Sequence, residues 1–174
     1  MQDADLLLSL AGIAGVFVGF GALIAVRSGG PSEPEEVAPM RAVVGMGMLT
    51  IIAALAPVTL GRYDLTDPQV WALSSVLVLV GWLGMFAFNA RTPEYRANWV
   101  ASTAAARLQP GDVVQGAAYV LYMIVMVLAP IIIMLGVAPE LEAALYFTVV
   151  ALTLLMSALA LLMLVFTGRR PATA

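Results

Sequence analysis

The amino-acid sequence predicts an all-α, polytopic integral membrane protein with about five transmembrane helices and one cytoplasmic interfacial helix. Hydrophobic residues make up 62% of its 174 residues and charged residues 11%, whereas an average soluble domain is about 25% charged. Apolar runs of about 20 residues recur along the chain, and a helix of that length crosses a hydrocarbon core about 30 Å thick. Turn formers and charges separate the runs. We therefore expect residues 1–174 to form a single membrane domain.

The first predicted span, residues 6–26, contains no charged residue. A cleaved signal peptide is the alternative interpretation of such an N-terminal run. However, Asp3 and Asp5 lie where a signal peptide has basic residues, and Arg27 directly follows the run. These flanking charges favour a retained transmembrane helix.

The second and third spans are predicted at residues 42–60 and 70–88. Residues 27–40 contain Ser-Gly-Gly-Pro and several acids, a composition typical of a loop. Between the two spans, Asp67 and Pro68 form a pair that suits the N-cap and first position of a helix. The third span therefore begins close to this pair.

The segment at residues 93–108 is too polar to span a membrane but has the pattern of an amphipathic helix. We predict that it lies at the cytoplasmic interface. It either rests on anionic lipid or docks a protein partner. The residues expected to make these contacts are Tyr95, Arg96, Trp99 and Arg107.

The fourth and fifth spans are predicted at residues 113–137 and 143–167. The connection between them is short enough to require an antiparallel helical hairpin. Glu140 and Glu142 fall in the first turn of the last helix, where the helix dipole favours negative charge.

All eight basic residues are arginines, and their distribution predicts the orientation. Arginine is retained on the cytoplasmic side of transmembrane segments. On one predicted side of the membrane lies Arg62 alone. The other side holds Arg27, Arg41, Arg91, Arg96, Arg107, Arg169 and Arg170. We therefore expect an outside N-terminus and a cytoplasmic C-terminus, in a bacterial inner (plasma) membrane.

The residue types that are missing exclude several chemistries. The chain has no Cys, His or Lys, which removes thiolate nucleophiles, imidazole bases, Cys/His metal sites and Schiff bases. The remaining Ser, Thr, Tyr and acidic residues show no spacing that pairs a nucleophile with a base. We expect no enzymatic activity, no cofactor and no metal site. An overall charge of −3 likewise argues against a nucleic-acid partner.

Small residues recur at spacings of three and four in the first span. They form what we call the glycine ribbon: Gly12, Gly15, Gly19 and Ala22. Such a face lets two helix backbones approach closely in lipid. It predicts either packing against another helix of the same chain or self-association between copies.

The predicted inner side holds seven arginines and five acids, a charge of +2, whereas the predicted outer side holds one arginine and six acids, a charge of −5. Four of them form a candidate cation-attracting entrance, which we call the acidic mouth: Asp64, Asp67, Glu140 and Glu142. Rings of carboxylates around a symmetry axis are one way to build a cation pore. The alternative interpretation is that these acids cap helices or occupy their first turns.

No Asp, Glu or Arg is predicted at the middle of the membrane, which argues against an ion-coupled pump. The polar residues that remain in the spans are Thr50, Ser74, Ser75, Gln115, Tyr119, Tyr122, Thr148, Thr153 and Ser157. Side chains of this kind commonly hydrogen-bond neighbouring helices.

Two functions fit these observations. The first is a homo-oligomeric pore or channel with a cation-attracting outer face, since five spans leave little room for a conduit within one chain. The second is a non-catalytic accessory or scaffold subunit that binds a larger membrane protein through the interfacial helix. The expected partners are accordingly the lipid bilayer and either further copies of the chain or a membrane-protein partner.

Overall fold

The computed structural model describes residues 4–27, 34–92 and 110–167. The long helices in these ranges are α1 (Ala4–Arg27), α2 (Pro34–Leu60), α3 (Asp67–Ala90), α4 (Pro110–Met134) and α5 (Glu142–Thr167), and a short 3-10 turn covers Pro139–Leu141. Each of the five long helices is apolar enough, over a sufficient length, to cross a membrane. The predicted all-α, multi-pass fold is confirmed. The predicted interfacial helix at residues 93–108, with Tyr95, Arg96, Trp99 and Arg107, lies outside the described residues.

Two helices have ends that differ from the predicted spans. α2 begins at Pro34, so that residues 34–40 are helical although a loop was expected. Proline suits the first helical turn, and the acids that follow it are favoured by the helix dipole. α4 ends at Met134 because Gly136 adopts a φ of 61°, a left-handed conformation that terminates helices.

Four of the helices pack in a ring, in the order α2, α3, α4, α5 and back to α2. α3 also contacts α5 across the ring, and α1 packs outside the ring against α2 and α5. Among the five spans, α2 has the largest share of buried residues. Its buried positions include Ala53, Ala54, Ala56 and Pro57, small or compact residues that permit close approach.

α2 and α5 run antiparallel, as two hydrogen bonds between them show. The Tyr146 hydroxyl donates to the Ala53 carbonyl at 2.6 Å, and the Ser157 hydroxyl donates to the Val43 carbonyl at 3.1 Å. As the residue number rises along α5 it falls along α2. The same order brings Glu142, at the start of α5, level with the last turns of α2.

Consecutive helices alternate in direction, which separates the charges into two ends. At the start of α1, α3 and α5 lies the acidic end, which holds Asp5, Asp64, Asp67, Glu140 and Glu142. At the opposite end, which we call the arginine end, lie Arg27, Arg41 and Arg91 together with Glu35, Glu36 and Asp112. In the described part of the chain, the charged residues thus lie at the two ends of the spans.

Candidate functional site

The glycine ribbon of α1 faces away from the bundle. All four of its residues are exposed, and a Cβ built on any of its three glycines meets no described atom within 4 Å. The face of α1 that packs inward carries Leu7, Ala14 and Gly21 instead. The ribbon therefore contacts no other helix of the described part of the chain. Self-association stays a prediction.

The close helix contacts that were expected on α1 occur on α2. A Cβ added at Gly47 would meet the Val18 side chain of α1 and would lie 3.4 Å from Ser157 Oγ of α5. A Cβ at Gly45 would lie 2.8 Å from the sulfur of Met85 on α3. Glycine at these two positions lets α2 approach three neighbours.

The four acids of the acidic mouth lie in two different environments. Asp64, Asp67 and Glu140 are exposed, whereas Glu142 is only 4% exposed. Within the described ranges, no three acids approach closely enough to hold a metal ion. Asp67 is also not the N-cap of α3: that position belongs to Thr66, whose backbone N–H donates to Gln69 Oε1 at 3.0 Å.

The side chain of Glu142 lies in the interior of the acidic end. By the antiparallel register it is level with Pro57, which is itself buried in α2. Among the described residues, no hydrogen bond or ion pair joins the Glu142 carboxylate to another side chain. The residue as a whole is little exposed, but its carboxylate oxygens are not among the buried polar atoms that lack a partner in the described part of the chain.

Tyr146 lies one helical turn further along α5 and is almost fully buried. Its hydroxyl donates to the Ala53 carbonyl of the neighbouring helix α2. That carbonyl needs a donor because residue 57, which would normally supply the N–H, is proline. The ring packs against Trp71 of α3, with the ring centroids 5.3 Å apart.

Ser74 and Ser75 are adjacent buried serines of α3, and Ser74 lies near the Tyr146 hydroxyl. Ser74 and Ser75 are both 0% exposed, and neither hydroxyl has a partner within the described structure. Ser74 is close enough to the Tyr146 hydroxyl to interact with it electrostatically, but the pair lies outside hydrogen-bonding geometry. Buried polar atoms of this kind ordinarily have a protein or water partner.

Further hydroxyls continue along the buried face of α5. Thr153 donates to the Val149 carbonyl at 2.7 Å, and its oxygen lies 3.8 Å from the sulfur of Met126 on α4. Thr50 of α2 is likewise fully buried and donates within its own helix. We call the aligned polar residues of α5 the polar stripe: Glu142, Tyr146, Thr153 and Ser157.

An aromatic cluster joins α3 to α4 nearer the arginine end. The Trp82 indole N–H donates to the Tyr122 hydroxyl at 3.2 Å, and that hydroxyl lies 3.9 Å from the sulfur of Met46 on α2. Trp82 also stacks on Phe86, with centroids 6.0 Å apart. Because Trp82 and Tyr122 satisfy one another, this cluster has the character of core packing.

The sequence carries a signal for the polar stripe. Its members are separated by four, seven and four residues, a spacing that places them on one face of a helix. Exposed Thr148 falls on a different face of the same helix. The groups of α2 and α3 that contact the stripe have no such spacing in the sequence. Local spacing does not show which helices pack together.

The fold defines the chain as a multi-pass helical membrane protein. No protein-family model, no curated protein and no solved structure matches it. The function is therefore argued from the chain's own residues.

Proposed function

We propose that the protein is a homo-oligomeric pore with a cation-attracting outer face, located in a bacterial inner membrane. In this proposal the acidic end faces outward, and the arginine end faces the cytoplasm together with the C-terminus, as the arginine distribution predicts. The observation that carries the proposal is the outward-facing glycine ribbon of α1. Lipid tails are as apolar as the side chains of a helix, so close backbone packing is what drives association there.

The exposed acids supply the charge that the proposed outer face requires. Asp64, Asp67 and Glu140 are all open to solvent at the acidic end, where Arg62 is the one basic residue of the described connections. In several copies these carboxylates would repeat around the symmetry axis and raise the local cation concentration.

Self-association is tested by the mass of the particle in lipid nanodiscs, measured by native mass spectrometry. We expect an integer multiple, greater than one, of the 18.3 kDa chain. The double variant G15L/G19L should yield single chains, because leucine fills the space that a second backbone needs. Gly84→Leu is the matched control, since Gly84 of α3 is also exposed and has no described atom within 4 Å of a built Cβ. A single-chain particle for the unchanged protein would contradict the proposal.

The cation-attracting face is tested by potassium flux into liposomes that contain this protein alone. The triple variant D64N/D67N/E140Q should conduct more slowly at low salt, and the difference should disappear at 1 M salt, where the Debye length is about 3 Å. Arg62→Gln should act in the opposite direction because it removes the opposing charge. Equal flux for all three proteins at low salt would show that the acidic mouth does not attract the permeating cations.

A non-catalytic accessory or scaffold subunit is the alternative, and the exposed ribbon also permits it, since a helix of another membrane protein could pack there. Isolation from the native host in mild detergent separates the two functions. Particles that contain only copies of this chain support the pore. A larger membrane protein present at fixed stoichiometry supports the accessory subunit.

A further inference from the structure

We propose that the lipid-facing side of the α2–α3 pair binds one anionic phospholipid, with the lipid phosphate between Arg41 and Arg91. The site lies at the arginine end, and the exposed apolar face of α2 forms its floor. The site is separate from the glycine ribbon of α1 and from the acidic mouth, so it does not depend on the proposed pore.

Arg41 and Arg91 lie where the apolar parts of two neighbouring helices end. Arg41 is the second residue of the apolar span of α2, which covers Met40–Leu60, and Arg91 directly follows the span of α3, which ends at Ala90. Both side chains are exposed. Lipid phosphates lie just outside the hydrocarbon core, which is the depth at which these two apolar spans end.

The packing of α2 against α3 brings the two arginines to nearly the same level. A Cβ built at Gly45 of α2 would lie 2.8 Å from the sulfur of Met85 on α3, so these residues are side by side. Toward the arginine end, Arg41 is four residues from Gly45, or about 6 Å, and Arg91 is six residues from Met85, or about 9 Å. The two levels differ by only about 3 Å along the helices, which long arginine side chains can span.

Both arginines lie on the side of the pair that faces lipid. On α2, the exposed residues Arg41, Met48 and Ile52 follow one another at spacings of seven and four, which places them on one face. On α3, Arg91 comes three positions after Phe88, which is also exposed. On the inner side, α2 packs against α5 and α3 packs against α4. The two exposed faces therefore point out of the ring together.

The exposed face of α2 offers the acyl chains an apolar surface beneath the phosphate. Met48 and Ile52 are seven and eleven residues from Arg41, or about 10 Å and about 16 Å along the helix. One leaflet accounts for about half of a hydrocarbon core of about 30 Å. The floor therefore extends through the full depth of one leaflet.

The acids of the described part of the arginine end are Glu35, Glu36 and Asp112. Glu35 and Glu36 precede Arg41 by six and five residues, whereas side chains on a helix meet at spacings of three and four. Asp112 belongs to α4, which packs against α3 and α5. No hydrogen bond or ion pair joins the guanidinium of Arg41 or Arg91 to a side chain that the structure describes. Both groups are therefore available to an anion.

The chemistry of two guanidinium groups selects the headgroup. Each guanidinium presents a planar fork of N–H donors that can bond two phosphate oxygens. The negative charge of a phosphatidylglycerol phosphate is not balanced within the lipid, whereas the ammonium group of phosphatidylcholine balances the same phosphate. The site should therefore prefer an anionic lipid to a zwitterionic one.

Lipid selectivity is tested by native mass spectrometry of the full chain after its lipids have been removed. Phosphatidylglycerol and phosphatidylcholine with identical acyl chains are then added back, and we expect tighter binding of one phosphatidylglycerol per chain. Arg41→Gln and Arg91→Gln should each weaken that binding about fivefold, and the double variant about thirtyfold, because the attraction between one arginine and an anionic lipid surface is of that order.

Arg62→Gln is the matched control, since Arg62 is an exposed arginine at the opposite end of the described structure. It should leave the affinity for phosphatidylglycerol within about twofold of the unchanged protein. The double variant R41K/R91K should retain most of the binding because it keeps both charges. Equal affinity for the two lipids, or equal losses in R62Q and R41Q/R91Q, would overturn the proposal.

A photoreactive phosphatidylglycerol with a diazirine in its acyl chain locates the site without any substitution. We expect it to label Met48 and Ile52 of α2 more strongly than Ala151 and Leu155, which are exposed on α5 at similar depth. The same photoreactive chain on phosphatidylcholine should label the two helices to similar extents. Equal labelling of α2 and α5 by the anionic lipid would contradict the assigned floor.

Discussion

At the scale of single residues, Tyr146 compensates for a backbone defect in α2. Pro57 has no N–H, so the Ala53 carbonyl loses its normal partner within the helix. The Tyr146 hydroxyl takes its place at 2.6 Å. Proline is tolerated within transmembrane helices when a neighbouring group satisfies the freed carbonyl in this way. The side chain of one helix thereby stabilises the backbone of another.

This arrangement predicts that Tyr146→Phe lowers the free energy of unfolding by about 1 kcal/mol, and by no more than about 2 kcal/mol. The loss should be smaller in the Pro57→Ala background, because alanine restores a backbone N–H that can bond the Ala53 carbonyl within α2. Unfolding of Y146F, P57A and the double variant in detergent measures the coupling as a double-mutant cycle.

Tyr63→Phe is the control for this prediction, since Tyr63 is 65% exposed on the connection between α2 and α3. Its replacement should leave stability unchanged. Additive effects of Y146F and P57A, with no coupling between them, would show that the hydroxyl does not serve the proline-freed carbonyl.

The environment of individual polar residues was only partly predictable. The polar residues of the spans were expected to hydrogen-bond neighbouring helices. Tyr122 and Ser157 do so, whereas Thr50, Thr148 and Thr153 donate to carbonyls of their own helices. The burial of Glu142 was not predicted, because its place in a first helical turn suggested a surface position. A carboxylate at a helix start is exposed or buried according to which helix lies beside it, and that neighbour is set by tertiary packing.

At the scale of helices, α2 is the most enclosed of the five. Glycine at positions 45 and 47 admits Met85 of α3 and Val18 of α1 against its backbone. Gly81 of α3 receives Leu49 of α2 in the same manner, with a built Cβ only 2.8 Å from the leucine Cδ1. Close packing of this kind replaces the hydrophobic effect as the source of stability within lipid.

We predict that Gly47→Leu destabilises the fold by about 1–3 kcal/mol, the usual cost of inserting a side chain into a filled interior. The added atoms would meet Val18 and Ser157 from two different helices. Gly84→Leu should change stability by less than about 0.5 kcal/mol because its Cβ points into open space. Thermal unfolding of both variants in the same detergent makes the comparison. Equal losses for G47L and G84L would contradict the described packing around α2.

The spacing of small residues did not reveal which helix would be enclosed. The glycine ribbon of α1 has the more regular pattern, yet it faces outward, whereas the glycines of α2 are the ones in contact. Hydropathy and spacing describe one helix at a time. Which helices pack against one another depends on how all five fit together. A local sequence pattern does not carry that information.

At the scale of the whole molecule, the number of spans was predictable because the bilayer imposes a strict length requirement. Each of the five apolar runs became a helix long enough to cross the membrane. The ends of the helices were less predictable, since residues 34–40 extend α2 with residues that also suit a loop. The ring formed by α2 to α5, with α1 outside it, was not predictable from the sequence by these arguments.

We propose that the five helices cross the bilayer with the acidic end outside and the arginine end in the cytoplasm. The most direct measurement places protease-cleavable tags before residue 1 and after residue 174 in sealed, right-side-out membrane vesicles. External protease should remove the N-terminal tag and leave the C-terminal tag intact, because an odd number of spans puts the two ends on opposite sides. Removal or protection of both tags together would contradict it.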